Sequence, residues 1–161
     1  MEKIISRGLL AFYLVILTWL VLFKLQYNIL SVFHYQYTSF NLIPFAASGS
    51  IREMIDNILI FIPLGLLLEV NFKKGGFSPK LTLVLALSLI FEIIQFIFSI
   101  GATDITDVIT NTVGGFLGLK LYSVCNRLIS SKKLDWVILL VGIFLLVLLI
   151  YYRSHLVIRY S

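Results

Sequence analysis

One cysteine and two histidines are all the thiol and imidazole groups this chain contains. A lone Cys125 excludes an intrachain disulfide framework and reads as a reduced, inert thiol at a membrane interface. His34 and His155 stand near opposite ends of the sequence, so no zinc spacing exists. Charge is scarce too: 13% of residues are Asp, Glu, Lys or Arg, where a soluble domain carries about 25%. No nucleophile elbow, phosphate-cradling glycine loop or HExxH run is present, which removes the commonest hydrolase, nucleotide and metalloprotease templates. The formal net charge of +5 does not indicate a nucleic-acid partner, because the lysines and arginines flank apolar runs rather than lining one polar face.

What the chain has in excess is apolar surface: 60% hydrophobic residues and a mean hydropathy of +1.01. The expectation is an all-α polytopic membrane protein, a single domain over 1–161 with five spans in a small bundle. The spans are 4–23, 56–70, 81–100, 108–124 and 136–152, each close to the ~20 residues a bilayer requires or somewhat shorter. The N-terminal run reads as an uncleaved anchor, since Lys24-Leu25-Gln26 offers no small-residue cleavage site. With the N-terminus inside, nine of the 13 basic residues fall on the cytoplasmic side, which favours N-inside, C-outside. The loop from Lys24 to Arg52 is the long one. Its aromatic middle, Phe33 to Phe45, is expected either to form an interfacial belt or to cap the bundle as a lid, with Asn41 and Pro44 setting a turn.

The organising stretch is Ser88 to Leu119. Acidic and amide side chains at membrane depth are expensive and need a partner or a use. Glu92 and Gln95 share a helix face at i, i+3. Asp104, Asp107, Asn111, Gly114 and Gly118 step by three or four and form a second stripe, expected to face the first across the turn at Gly101-Ala102-Thr103. Gly114-x-x-x-Gly118 permits close approach of another helix, within the chain or in a homo-oligomer. In the second span Asp56 and Asn57 precede Pro63 and Gly65. The proline has no N–H for the Leu59 carbonyl, so it is expected to kink the helix and expose an acceptor. Arg52 stands at the mouth, able to pair with Asp56 or to meet a lipid phosphate. Lys73-Lys74 and Lys132-Lys133 read as topology determinants.

Three uses remain open for these groups. Glu92 can serve as neutral interhelical glue to Asn111 or Gln95. Arg52, Asn57, Glu92, Gln95, Asp104, Asp107 and Asn111 can bind a polar head group, with Pro63, Gly65, Gly114 and Gly118 shaping the cavity. Glu92, Asp104 and Asp107 can instead do acid–base chemistry, or hold a divalent cation against a phosphate, although no cofactor is expected.

Asn41-Leu42-Ile43-Pro44-Phe45, Asn57-x-x-x-Phe61-x-Pro63-x-Gly65, Glu92-x-x-Gln95 and Asp104-x-x-Asp107-x-x-x-Asn111-x-x-Gly114-x-x-x-Gly118 together resemble the VanZ-like membrane proteins over roughly Leu9 to Tyr122. The resemblance implies low-level teicoplanin resistance through reduced association of the antibiotic with the cell surface of a Gram-positive bacterium. The outward polar site is expected to engage the head group of a membrane lipid or lipid-linked cell-wall precursor, and the expected location is the cell membrane. An enzyme acting on an outer-leaflet lipid or wall intermediate, and a small transporter or flippase, are the competing expectations.

Overall fold

The computed structural model describes residues 2–23, 39–41, 43–45, 51–100 and 102–159. Among them are five helices and two short strands in the order α1 (Glu2–Phe23), β1 (Ser39–Asn41), α2 (Ile51–Asn71), α3 (Phe77–Phe98), β2 (Ala102–Asp104), α4 (Ile105–Leu128) and α5 (Ser131–Arg159). Three stretches are long and apolar enough to cross a membrane: Lys3–Leu22 in α1, Phe77–Phe98 and Ile105–Leu128. The fold is an all-α membrane bundle.

Helix α3 shows how polarity is distributed. Lys80, Val84, Ser88, Phe91, Glu92 and Gln95 are buried along one side, while Leu83, Leu85, Leu89, Ile90, Ile93, Phe96 and Ile97 are exposed. Polar side chains that lipid cannot solvate turn inward, and leucine and isoleucine, which lipid solvates well, turn outward. The helix stops at Ser99, which adopts the left-handed conformation (φ 51°). Its N–H bonds the Phe96 carbonyl at 3.3 Å and Ile100 N–H bonds the Gln95 carbonyl at 3.1 Å, a Schellman closure. The chain reverses there, two residues before the glycine that the sequence offers.

The closest helix pair is α2 with α4. A Cβ on Gly114 would meet Ile58 and Phe61, and one on Gly118 would meet the Ile62 carbonyl and lie 3.0 Å from the Gly65 Cα. Gly115 faces α3, where Val84 Cγ1 occupies the space a side chain would need. The glycine spacing is therefore consumed inside the chain, against α2. The expectation that the α4 stripe would look chiefly at the preceding helix is corrected accordingly.

Pro63 lies within α2. The Tyr13 hydroxyl of α1 donates to the Ile60 carbonyl, one turn before the proline. Pro63 itself lines an apolar cavity of about 250 Å³ between α1, α2 and α5, with Leu9, Leu67 and Gly142. Strand β1 pairs in parallel with β2, in register Ser39↔Ala102, Phe40↔Thr103 and Asn41↔Asp104. Part of the long loop is thus tied to the α3–α4 turn. The rest of the expected belt or lid, residues 24–38, 42 and 46–50, lies outside the described residues.

Candidate functional site

The polar residues of the organising stretch divide into two clusters at the α3–α4 turn end of the bundle. The first is a cavity of about 690 Å³ lined by Leu20, Val21, Arg52, Glu53, Asp56, Asn57, Leu59, Ile60, Gln95, Asp107 and Asn111. It takes the end of α1, the start of α2, the end of α3 and the start of α4. Five of the seven residues expected to bind a head group are here: Arg52, Asn57, Gln95, Asp107 and Asn111. Asn57 Nδ2 donates to Asp107 Oδ1 at 2.8 Å and bridges α2 to α4. Asn111 Nδ2 donates to Ser88 Oγ at 2.9 Å and bridges α4 to α3. Gln95 Nε2 donates to the Val21 carbonyl at 3.1 Å and bridges α3 to α1. Three amides therefore stitch four helices around one space.

The amides are not fully used. Gln95 is 2% exposed and Asn111 1%, yet Gln95 Oε1 and Asn111 Oδ1 have no hydrogen-bond donor. Because Gln95 is bonded to a carbonyl, which can only accept, its Nε2 must stay where it is and the bare end is an acceptor. A buried unpartnered acceptor costs about 1–3 kcal/mol; Asn71 Oδ1, at the far end of α2, is a third. Arg52 stands at the mouth, its Nε 3.8 Å from Asp56 Oδ2, with both side chains largely exposed. That pair contributes little on its own.

Glu92 and Asp104 belong to the second cluster, and here the expectation of one convergent knot is corrected. They line a separate, mainly apolar pocket of about 220 Å³ with Asn41 and Thr103. Glu92 Oε2 accepts from the Asp104 N–H at 3.0 Å. Asp104 is the N-cap of α4, its Oδ1 accepting from Thr106 N–H at 2.8 Å. Its Oδ2 accepts from Asn41 Nδ2 at 3.3 Å, Asn41 Oδ1 accepts from Ile43 N–H at 3.1 Å, and Phe45 N–H reaches Thr106 Oγ1 at 3.0 Å. The physical reason for the split is the backbone: Asp104 is extended (φ −128°, ψ 124°), so the helical stripe that relates Asp107 to Asn111 does not include it. The cluster fastens the 39–45 segment and the α3–α4 turn to the bundle. The three carboxylates considered for acid–base work do not share a cavity: Asp107 lines the first, Glu92 and Asp104 the second.

This arrangement has a direct consequence. Glu92→Gln keeps an acceptor oxygen for the Asp104 N–H, so normal accumulation in the membrane and unchanged biological activity are expected. Glu92→Ala leaves that N–H without its acceptor and should lower thermal stability by about 1–3 kcal/mol. Loss of activity in the glutamine variant at normal protein level would show that the charge itself is needed.

Of the cavity-shaping residues, Gly65, Gly114 and Gly118 set the α2–α4 distance, while Pro63 faces the apolar cavity on the other side of α2. The sequence reading missed Ser88, although it lies at i−4 from Glu92 and i−7 from Gln95 on the same face. It also missed the polar contacts at the opposite end. Lys80 Nζ and Glu69 Oε2 form a buried ion pair at 2.7 Å. Lys73 pairs with Asp135 at 2.6 Å, and both bond the Tyr122 hydroxyl, which donates to Asp135 at 2.7 Å. No group of three or more His, Cys, Asp and Glu side chains suited to a metal ion occurs among the described residues.

Two comparisons bear on this geometry. A family model described as VanZ/LLP1 matches residues 10–126. The chain is 72% identical over 160 residues to the protein named "Protein VanZ" of Enterococcus faecium, covering 99% of each chain. No solved structure matches.

Proposed function

The chain belongs to the VanZ/LLP1 family, and from that premise we propose that it is a multi-pass cell-membrane protein conferring low-level resistance to teicoplanin. It lowers the amount of antibiotic associated with the cell surface by engaging the head group of a lipid or lipid-linked wall precursor. Teicoplanin carries an acyl chain, so a change in membrane-level partners alters what it can anchor to. In the N-inside arrangement that the basic residues favour, α1 ends and α2 starts at the outer face, and the 690 Å³ cavity opens there. The observation that carries the reading is a 690 Å³ cavity in an apolar bundle lined by the buried amides Gln95 and Asn111 beside Asn57 and Asp107.

The test is teicoplanin susceptibility of cells expressing single variants at matched membrane levels. Gln95→Met and Asn57→Leu should each abolish most of the protection, and surface-bound labelled teicoplanin should rise to the level of cells lacking the protein. Gly8→Ala, at an exposed position with nothing within 4 Å, should protect fully. Full protection by correctly inserted Gln95→Met and Asn57→Leu would end the proposal.

A further inference from the structure

We propose that the seam between α1, α2 and α5 seats a glycerophospholipid with a net-negative head group. The head is held at the Lys3–Lys73 end and one acyl chain runs along the seam. This site stands apart from the 690 Å³ cavity and does not rest on the head-group reading given for it. Three observations converge on it.

The first is continuity. A pocket of about 180 Å³ has Lys3 and Ser6 of α1, Val70 of α2, Lys73 just beyond it, and Trp136 and Leu139 of α5 in its wall. The apolar cavity of about 250 Å³ begins where this pocket stops. Leu9 follows Ser6, Leu67 precedes Val70 and Gly142 follows Leu139, each by three residues. Residues three apart share a helix face about 5 Å apart, so head pocket and apolar trough form one seam on the same three helices. Lys3 to Tyr13 on α1 and Asp135 to Leu145 on α5 are ten residues each, about 15 Å of rise. That is half of the ~30 Å hydrocarbon thickness, the depth of one leaflet.

The second is the shape of the trough. From Val137 to Leu146 it runs about 14 Å, so about 250 Å³ corresponds to a mean cross-section of about 20 Å². A helix about 10–12 Å across needs about 80 Å² or more and cannot enter, whereas a hydrocarbon chain can. Tyr13 is the one polar side chain among the described residues lining the trough, and its hydroxyl already donates to the Ile60 carbonyl. Val137, Val141 and Leu145 are exposed along the rim, on the lipid side.

The third is charge at the head end. Asp135 is paired with Lys73, and Glu69 with Lys80. Lys73 spends two of its three N–H bonds on Asp135 and the Tyr122 hydroxyl, which fixes its ammonium at the pocket and leaves one donor. Lys3 lines the same pocket, and Lys74, Lys132 and Lys133 adjoin its residues in sequence. All four are exposed and have no ion pair among the described residues. Even with Glu2 set against one of them, the excess is positive. Trp136 at the same pocket suits the head-group level, where an indole finds both apolar and polar surroundings. In the N-inside arrangement this is the cytoplasmic leaflet.

The full-length protein, extracted in mild detergent, is incubated with vesicles of phosphatidylglycerol and phosphatidylcholine of matched chains, and retained lipid is read by native mass spectrometry. Phosphatidylglycerol should be retained about tenfold over phosphatidylcholine. Lys3→Gln should cut that excess about fivefold, the effect of one basic residue at a membrane surface. Val141→Trp and Leu145→Trp, at exposed rim positions that can fill the trough, should each remove most retained phosphatidylglycerol. Val147→Trp, exposed on the same helix but outside the trough, should leave retention unchanged. Soluble glycerol phosphate should compete only at far higher concentration, and competition at equal concentration would overturn a lipid as the occupant. Equal retention of the two lipids, including none of either, overturns the head-group assignment, as does an excess that Lys3→Gln leaves intact. A preference that survives both rim variants overturns the seam and assigns the attraction to surface charge alone.

Discussion

Gly118→Ala is expected to reduce the folded protein in the membrane to a small fraction of its normal level, while Gly8→Ala leaves it unchanged or slightly raised. Both changes add one methyl to a helix. At Gly8 the new Cβ meets nothing within 4 Å, so only intrinsic propensity acts, and alanine is favoured there by up to about 1 kcal/mol. At Gly118 the same methyl overlaps the Ile62 carbonyl and comes to 3.0 Å from the Gly65 Cα. Neither neighbour is a flexible side chain; both are backbone of α2, and Gly65 is itself hemmed in by α4, with Leu119 N at 2.8 Å from its would-be Cβ. The helices must separate for the methyl to fit. Overpacking of this kind costs about 1–3 kcal/mol where side chains can yield, and more where they cannot. In lipid the loss weighs further, because close contact of small residues is a main source of helix association there. The steric term exceeds the propensity gain, so the sign should differ between the two sites. Quantitative immunoblots of membranes and thermal unfolding in detergent check it. Equal behaviour of the two variants would mean that α2 and α4 are not in contact through this glycine face.

The same pair shows what could be read in advance and what could not. Spacing alone marks Gly114 and Gly118 as a face for close approach, because periodicity along one helix is a local property. The identity of the facing helix is not local. It depends on Ile58, Phe61, Ile62 and Gly65 of α2 arriving at that height. Asp104 and Asp107 illustrate a second limit. Three residues apart, they satisfy a helical stripe, yet helix α4 starts at Ile105 and the extended Asp104 turns away to Glu92 and Asn41. A period argument holds only inside the element, and caps lie outside it. The parallel pairing of Ser39–Asn41 with Ala102–Asp104 was illegible for a simpler reason: three residues are too few to show alternation. By contrast Asn57, Gln95, Asp107 and Asn111 were found because an amide or acid in an apolar run is conspicuous by cost alone. Lys80 escaped notice because a lysine near a helix end normally reports topology, and only its burial against Glu69 shows otherwise.

That ion pair yields the second large effect, and it separates scaffold from site. Lys80 is almost wholly buried and Glu69 nearly so, with Nζ and Oε2 2.7 Å apart across the α2–α3 turn. Glu69→Leu leaves a lysine ammonium buried in a lipid-surrounded bundle without its counter-charge. Lys80→Met strands the carboxylate instead. Removing one partner of a buried pair costs about 3–5 kcal/mol, whereas replacing both with apolar side chains of similar volume is neutral or stabilising by about 1–4 kcal/mol. Each single variant should therefore unfold at markedly lower temperature in detergent and accumulate poorly, and the double variant Glu69→Leu, Lys80→Met should recover at least the starting stability. The pair sits at the opposite end of the bundle from the cavity that Gln95 and Asn111 line. If the charges act only through folding, the double variant should also restore teicoplanin protection in full. Recovery of stability without recovery of protection would instead assign the Lys80–Glu69 pair a part in function, and would move the active region to both ends of the membrane. The physical argument favours full recovery, because the pair's charges satisfy one another and leave none to offer a ligand.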